Sequence, residues 1–389
     1  MSVNTMNFEQ SASLMNSLKA MTTSNAALTP ITTEDQFISV ANTVMRAGMD
    51  PIVGALSQMY ARTIFSGRSY NRKLKGMIRT NEEFGAITRK ISLKDGDFVD
   101  SKEYALIDGQ SVDQYVVSKE KPLEMHYYGS NVFTFFQTFY RDQLKPAFSN
   151  SAEFGAYNAL KFQNINNMIT QSQETEARNL LANFIAAKID ANNSVIHLLT
   201  EYNRLTGLSL TAQTVQQPAN YPAFVQWLYA RINNLSDMMT ERTIDFQINV
   251  TGKEIERFTN KEDQRVYINS QYLNDMTARA ISDIYHDSFL NMAVTEGVTF
   301  WQAFQSPFSI SVTPVYIDAT GAVKTGSAVA ANDVFGIIFD KDAMATVLQE
   351  RSVDTTPFNA RGKYVNTFYD WRVRWASDFT EKAIVLKLD

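Results

Sequence analysis

The sequence predicts an α+β fold in which a long helix packs against sheets that the end of the chain completes. Two observations carry this prediction. Residues Ala156–Thr206 contain neither glycine nor proline and place apolar side chains at helical spacing. After about residue 331, runs of strand length alternate with polar turns. A chain of 389 residues with 44% hydrophobic and 20% charged residues has the composition of a globular protein with a large core.

Composition excludes several classes of function. The chain has no cysteine, which rules out disulfides and thiolate chemistry and fits folding in a reducing cytosol. Its formal net charge of −5 argues against a dedicated nucleic-acid binder, which usually carries a basic stripe. No stretch approaches the ~20 apolar residues of a membrane span. Met1–Thr33 lacks the basic and apolar regions of a secretory signal.

The first elements are an arm and two helices. Met1–Thr33 is rich in Ser, Thr, Asn, Ala and Met and carries almost no charge. We expect it to be either an arm that docking orders or a disordered tail. Residues 36–65 show helical spacing, and Asp50-Pro51 opens the second helix.

A long hairpin follows, from about residue 85 to 125. Ala86–Leu93 and Asp113–Lys119 alternate and predict its two strands. An isolated two-stranded hairpin is marginal in water, and this one has few apolar residues. The pattern therefore favours a hairpin that lies on another molecule over one folded back on its own domain.

The central region alternates between helices and strands. Phe133–Tyr140 predicts an aromatic strand, and Ser149 or Ser151 with Glu153 predicts the start of the long helix. Forty helical residues would span ~60 Å, with Asn192-Asn193 as an expected interruption. The later elements that the pattern predicts are a helix at Pro222–Thr240, strands at Ile244–Val250 and Val266–Ile268, a helix at Tyr272–Tyr285 and short strands such as Val312–Ile317.

The end of the chain predicts a sheet framework. Val334–Phe339 is an apolar run of strand length, and Ala383–Leu388 is another. Between them, an alternating strand surrounds Trp371–Trp375. This strand places its tryptophans on one face and Arg372 and Arg374 on the other.

Motifs for catalysis are missing from the sequence. It has no Gly-x-Ser-x-Gly elbow, no Gly-x-x-x-x-Gly-Lys loop and no Gly-x-Gly-x-x-Gly. The three histidines, His126, His197 and His286, are far apart and have no second ligand at metal-binding spacing. We therefore expect a protein that is not an enzyme and uses neither cofactor nor metal.

The order of these elements resembles the major capsid protein of tailed bacteriophages, the Hong Kong 97 fold. It is most similar to the major head proteins of podovirus-type phages. The stretches that carry the resemblance are Gly85–Ile91, Gln143–Phe148, Asp340–Met344 and the turn Asn359–Gly362 with the strands after it. Each motif is weak alone, and their order and spacing carry the weight.

The resemblance implies five parts. They are an N-terminal arm with the helices after it (1–80), an E-loop hairpin (81–130), a peripheral domain with the spine helix (131–220), an axial domain (221–330) and returning strands (331–389). Some relatives join subunits by a Lys–Asn isopeptide bond, but no motif here selects a lysine for it.

The function implied is assembly of hexamers and pentamers into an icosahedral head shell around packaged double-stranded DNA. The partners implied are the chain itself, a portal and a scaffold or other head proteins, with only weak non-specific DNA contact and no membrane. The virion is the implied location, after assembly in the host cytoplasm. The candidate contacts between subunits are Arg89, Lys90, Arg361, Lys363, Arg372 and Arg374. The alternatives are a portal or scaffold protein and an enzyme of unrecognised family.

Overall fold

The computed structural model describes residues 7–23, 31–66, 74–80, 87–94, 108–109, 115, 117, 121–128, 130–283 and 294–389. The helices of this part are α1 (Phe8–Thr23), α2 (Glu34–Arg46), α3 (Met49–Ser66), α4 (Arg141–Ala147), α5 (Ser151–Asp190), α6 (Leu198–Thr206), α7 (Tyr221–Thr240) and α8 (Ser270–Asp283). Its strands are β1 (Ile78–Thr80), β2 (Ile87–Leu93), β3 (Pro122–Tyr128), β4 (Asn131–Tyr140), β5 (Val195–His197), β6 (Gln264–Asn269), β7 (Val294–Val298), β8 (Ile310–Val312), β9 (Val315–Ile317), β10 (Val323–Thr325), β11 (Val329–Ala331), β12 (Val334–Asp340), β13 (Met344–Thr355), β14 (Tyr364–Ser377) and β15 (Ala383–Lys387).

A five-stranded sheet of order β5-β15-β12-β6-β7 forms one half of the core. All of β12 is buried, because helices or loops cover both faces of the sheet. Ile337 and Phe339 pack in a cluster with α5, whereas Phe335 and Ile338 pack in a cluster with α6, α7 and α8. The strands predicted at Val334–Phe339 and Ala383–Leu388 are confirmed as β12 and β15. A strand that is buried on both faces has an apolar run without alternation, as β12 does.

A four-stranded sheet of order β1-β13-β14-β4 forms the other half. β14 alternates strictly over most of its length, and its inward residues Val365, Tyr369 and Trp371 belong to the same buried cluster as the apolar side chains of α1, α2 and α3. Two predicted strands, the aromatic one and the one around Trp371–Trp375, are confirmed as β4 and β14. β13 was not predicted from the sequence, and its register with β14 shifts between Leu348 and Arg351.

The spine helix α5 joins the two halves. It has 40 residues, so it is ~60 Å long. Phe154, Ile165 and Ile169 pack with the four-stranded sheet, and Phe184 and Ile185 pack with the five-stranded sheet. One length of helix therefore fixes the relative positions of both sheets.

The ends of α5 were predicted to within a few residues. The cap is Asn150 rather than a serine, and its Oδ1 accepts a hydrogen bond from the Glu153 backbone N–H at 2.7 Å. At the other end, Asn192 adopts a left-handed backbone conformation with φ of 47°, and a right-handed helix cannot continue through it. The predicted break at Asn192-Asn193 is confirmed, and β5 and α6 follow as separate elements.

Part of the N-terminal arm is a helix. Ala12, Met15 and Leu18 of α1 are buried in the same cluster as α2, α3 and α5. The expectation of a disordered tail is therefore wrong for Phe8–Thr23, and docking onto the rest of its own chain orders this helix. Residues 1–6 and 24–30 lie outside the described residues.

The hairpin has the predicted first strand but a different second one. β2 pairs with β3 from Ile87 opposite Tyr128 to Leu93 opposite Pro122. The predicted strand at 113–119 is wrong where it is described, since Tyr115 and Val117 lie outside any strand. Pro122 is the first residue of β3, a position that suits a residue without an N–H donor.

Two further predictions fail in the central region. The residues from Ile244 to Val250 alternate, yet they form an irregular loop, in which Phe246 has a positive φ of 66°. The predicted strand at Val312–Ile317 is two strands, because β8 and β9 pair with β11 and β10 respectively. The helix predicted at Pro222–Thr240 and the strand at Val266–Ile268 are confirmed as α7 and β6.

None of the helices in the described ranges has a run long and apolar enough to cross a membrane. The five-part division of the chain stays a prediction.

Candidate assembly surfaces

An ion cluster anchors the base of the hairpin to the rest of the chain. Lys90 of β2 pairs with both Asp378 and Glu381, which lie in the turn between β14 and β15. Arg257 approaches Glu381 from a third segment, with Nη1 3.5 Å from Oε1. The four charges balance, so the cluster holds two nearly buried carboxylates against two cations.

Burial and pairing act in opposite directions on these groups. Burial alone lowers the pKa of Lys90, but the charges of Asp378 and Glu381 outweigh it and leave that pKa raised. Burial raises the pKa of Glu381, and the nearby Lys90 and Arg257 only partly offset it. The lysine is thus charged at neutral pH and bound to the turn.

Apolar contacts support the same anchor. Leu123 and Met125 of β3 form a small buried cluster with Val250 and Ile255. The guanidinium of Arg257 donates to Ser92 Oγ at 2.7 Å. The described part of the hairpin therefore folds onto its own chain, although the sequence pattern favoured a contact with another molecule.

Arg89 and Lys90 do not share an environment. Arg89 points to the surface, where it is 57% exposed and pairs with Glu124 across the hairpin. Lys90 belongs to the buried anchor. Of these two candidates, Arg89 is the one whose side chain lies on the surface of the chain.

The turn before β14 presents two exposed cations. Asn359 Oδ1 accepts hydrogen bonds from the backbone N–H groups of Arg361 and Gly362, at 3.1 and 2.8 Å. The Lys363 N–H donates to the Asn359 carbonyl at 2.7 Å, and Lys363 has a positive φ of 54°. An asparagine that folds back on its own turn fixes the backbone from which Arg361 and Lys363 project.

The two arginines of β14 differ in exposure, as Arg89 and Lys90 do. Arg372 is exposed, but Arg374 is 1% exposed and lies within the chain. The predicted face is shared by both arginines, but it is covered within the chain at the Arg374 end of β14, so the Arg374 side chain does not reach the surface. Arg372 keeps its place among the surface cations.

An aromatic surface follows the edge strand of the four-stranded sheet. We call it the β4 face, and it consists of the outward side chains of β4 and β14: Val132, Thr134, Phe136, Thr138, Tyr140, Tyr364, Asn366 and Phe368. Phe136 and Phe368 lie 6.4 Å apart between ring centroids, and Tyr140 and Tyr364 lie 6.1 Å apart. Phe136 is 64% exposed. The aromatic strand was predicted from the sequence, but the exposure of its outer row was not.

Two buried lysines hold the loop that was predicted as a strand. Fully buried Lys188 of α5 donates to the Phe246 carbonyl at 3.1 Å and to Asn193 Oδ1 at 2.9 Å. Buried Lys382 donates to the Glu241 carbonyl and, at 3.1 Å, to Thr243 Oγ1. Burial lowers the pKa of Lys188 to about 7 and also lowers that of Lys382. The alternating pattern of the sequence gives no indication that distant lysines bind this backbone.

Solved structures with this fold come from phage heads. A chain from the capsid structure of Staphylococcus phage Andhra is 8% identical with a TM-score of 0.51, covering 83% of this chain and 86% of that one. A chain from the structure of the head fibre and inner core protein gp22 of native bacteriophage P68 is 9% identical with a TM-score of 0.53, covering 83% and 88%. The fold is therefore that of the phage capsid proteins, the Hong Kong 97 type.

The family model for the Phi29-like phage major capsid protein matches residues 14–386. The chain belongs to this family: it is a structural, non-enzymatic component of the virion that assembles into a capsid shell. A search of curated proteins finds no match. The resemblance seen in the sequence is confirmed at the level of fold and family, and the podovirus type stays a prediction.

Proposed function

We propose that the chain assembles into hexamers and pentamers that close an icosahedral head around packaged double-stranded DNA. Support comes from the hairpin: Lys90 holds its strand β2 to the rest of the chain, while Tyr115 and Val117, between β2 and β3, are exposed. Tyr115 is 81% exposed and Val117 is 88% exposed. Such residues are buried when a neighbouring subunit covers them.

The segment between β2 and β3 lies across the adjacent subunit of the same capsomer, while the two strands stay on their own chain. A contact made by one surface on a different surface of the next copy repeats by rotation, so it closes rings of fixed size. Because each subunit makes many contacts at once, modest individual contacts suffice for a stable shell. The predicted axial domain, about 221–330, forms the capsomer centre.

The other partners follow from charge and composition. A net charge of −5 suits a shell that contains DNA with weak non-specific contact only. A portal and a scaffold or other head proteins complete the head, and the absence of cysteine suits assembly in the host cytoplasm.

Native mass spectrometry of the purified chain tests the capsomer proposal. The expected species lie near six and five times the chain mass of 44.0 kDa. A ladder of dimers and tetramers without either ring would contradict it.

A further inference from the structure

The loop between β7 and β8, residues 299–309, presents a phenylalanine at the surface. Phe304 is 79% exposed, and its ring packs edge-on against the ring of Phe300, with the two centroids 6.0 Å apart. The Trp301 N–H donates to the Pro307 carbonyl at 3.3 Å, which closes the loop on itself. The Phe304 ring is therefore held away from the core in one place, and its burial by a partner would cost little conformational entropy.

Buried side chains anchor this loop to the rest of the chain. Trp301 is 1% exposed, and its Nε1 donates to the Val334 carbonyl at 2.8 Å. The guanidinium of Arg178, on α5, donates to the Phe300 carbonyl and lies 4.0 Å from the centre of the Phe300 ring. The loop is thus attached to the core at two points close to the side chain that it exposes.

The sequence around Phe304 carries no charge. Residues 297–317 contain no Asp, Glu, Lys or Arg, in a chain where these residues make up 20%. Single exposed apolar side chains are common on protein surfaces. An exposed aromatic side chain on a fixed, uncharged loop is instead typical of the centre of an interface, from which charged residues are depleted.

A recess that could receive such a side chain lies at the C-terminal end of α5. It is a cavity of about 630 Å³, with walls from α5, α6, the loop 210–212, the segment 329–333 and residues 387–389. Its apolar lining consists of Ile189, Leu199, Leu210, Val329 and Leu388. A dry cavity of ~150 Å³ already accepts a benzene ring, so this one has room for a phenylalanine side chain and part of its loop.

The walls of the cavity are fixed, and their charges are paired. The Asn203 side chain donates to the Leu210 carbonyl at 2.8 Å and accepts from the Leu210 N–H at 2.9 Å. On another wall, Lys387 Nζ lies 3.2 Å from Asp333 Oδ2 and 2.5 Å from Asp389 Oδ2. An uncharged ring can therefore enter without leaving an ion unpaired, whereas a charged group would have to compete with existing ion pairs.

We infer that the 299–309 loop of one copy inserts Phe304 into this cavity on a neighbouring copy. The inference rests on the proposed function and adds to it a specific contact between adjacent subunits. A second copy is the partner that the family provides, because a capsid shell is built from many copies of one chain. Phe304 does not fill the cavity of its own chain, since it is exposed.

The projection and the recess belong to different parts of the surface. Arg178 holds the loop and Ile189 lines the cavity, and both lie on α5. At 1.5 Å per residue these two positions are about 16 Å apart along the helix axis. The contact is therefore heterologous, and a heterologous contact can repeat by rotation until a ring closes.

Cysteine cross-linking tests the contact, because the chain has no cysteine of its own. Gln305→Cys, next to Phe304, and Asn332→Cys, at an exposed position of the cavity wall, are made in separate chains, one of them 15N-labelled. The two chains are mixed and treated with a short bismaleimide, and the linked peptides are identified by mass spectrometry. The expected product joins position 305 of one chain to position 332 of the other. Its absence, or an equal yield with the exposed Ala360→Cys in place of Asn332→Cys, would overturn the inference.

The ring itself is tested in the Gln305→Cys chain. Phe304→Ser should lower the yield of the product about tenfold, because the inserted side chain is lost. Phe258→Ser, at a phenylalanine that is 54% exposed on a different loop, should leave the yield unchanged. Thermal unfolding of Phe304→Ser should match that of the wild type, so a lower yield would not reflect a loss of fold. An unchanged yield in Phe304→Ser would show that the ring is not inserted.

The same samples separate this contact from the capsomer proposal. Rings or shells seen by electron microscopy without the cross-linked product contradict the inference and leave the capsomer proposal intact. Chains that form the product but neither rings nor shells support the contact and contradict the capsomer proposal.

Discussion

Lys90 on the hairpin forms an ion pair with Glu381, which lies 291 residues further along the chain in the turn before the last strand. This pair, with Asp378 and Arg257, ties the hairpin to the segment that joins the two sheets. A hairpin that is marginal alone thereby acquires a fixed base.

Removal of the lysine should loosen the hairpin. Lys90→Met leaves two carboxylates side by side, and with Lys90 29% exposed we expect a loss of about 2 kcal/mol or more. Amide hydrogen exchange in 87–93 and 122–128 should accelerate at least tenfold relative to α5. Arg89→Met, at the neighbouring exposed cation, is the control. Equal protection in the wild type and Lys90→Met would refute the anchor.

Lys188 makes the stability of the chain depend on pH. Its pKa in the folded chain is about 7, below the ordinary value of 10.5. Between these values the unfolded chain binds more protons, so stability rises with pH from about 7 towards 10.5. The slope expected is about 1.4 kcal/mol per pH unit within this window.

Lys188→Met should remove this slope. Urea unfolding at pH 7.5 and 9 gives the free energy of unfolding of both proteins, and their difference cancels titration elsewhere. We expect the wild type to gain about 2 kcal/mol over the variant across this interval. Parallel pH profiles would show that Lys188 is protonated in the folded chain.

Glycine is required at position 336 because a neighbouring backbone lies too close for a side chain, and not because of a turn. A Cβ at this position would lie 2.7 Å from the carbonyl oxygen of Tyr267 on the paired strand β6. Gly336→Ala must separate two backbones in the centre of the sheet, at a cost of about 2 kcal/mol. Gly54→Ala in helix α3 is the matched control, since the only atom near a Cβ at Gly54 is Thr355 Oγ1, at 3.9 Å. Thermal unfolding should rank Gly54→Ala above the wild type and Gly336→Ala below it.

Asn359 should set the geometry of the cationic turn. Asn359→Ala removes the acceptor for the Arg361 and Gly362 N–H groups and should cost about 1 kcal/mol. Asn359→Asp keeps an acceptor at the same place and should restore most of the loss. Denaturant midpoints of the three proteins measure the effect. A loss in Asn359→Asp as large as that in Asn359→Ala would show that the acceptor is unimportant.

Elements buried on a regular period could be predicted from the sequence. The run Val334–Phe339 and the alternation around Trp371–Trp375 each match the burial of the strand that they form. The spine helix was found because glycine and proline are absent from Ala156–Thr206. These signals are local, so a single sequence suffices.

Other features depend on distant contacts. Ile244–Val250 has the alternation of a strand, but Lys188, Lys382 and the left-handed Phe246 hold it as a loop. For the candidate contact residues, the sequence pattern identified the cations but could not show which side chains each of them pairs with. The environments of Lys90 and Arg374 are set by residues far away in sequence, which no local pattern records.

Electron microscopy of the purified chain at high concentration tests the central claim most directly. We expect closed shells of uniform curvature, together with isolated six- and five-membered rings. A homogeneous small oligomer that forms neither rings nor shells as concentration rises would contradict it.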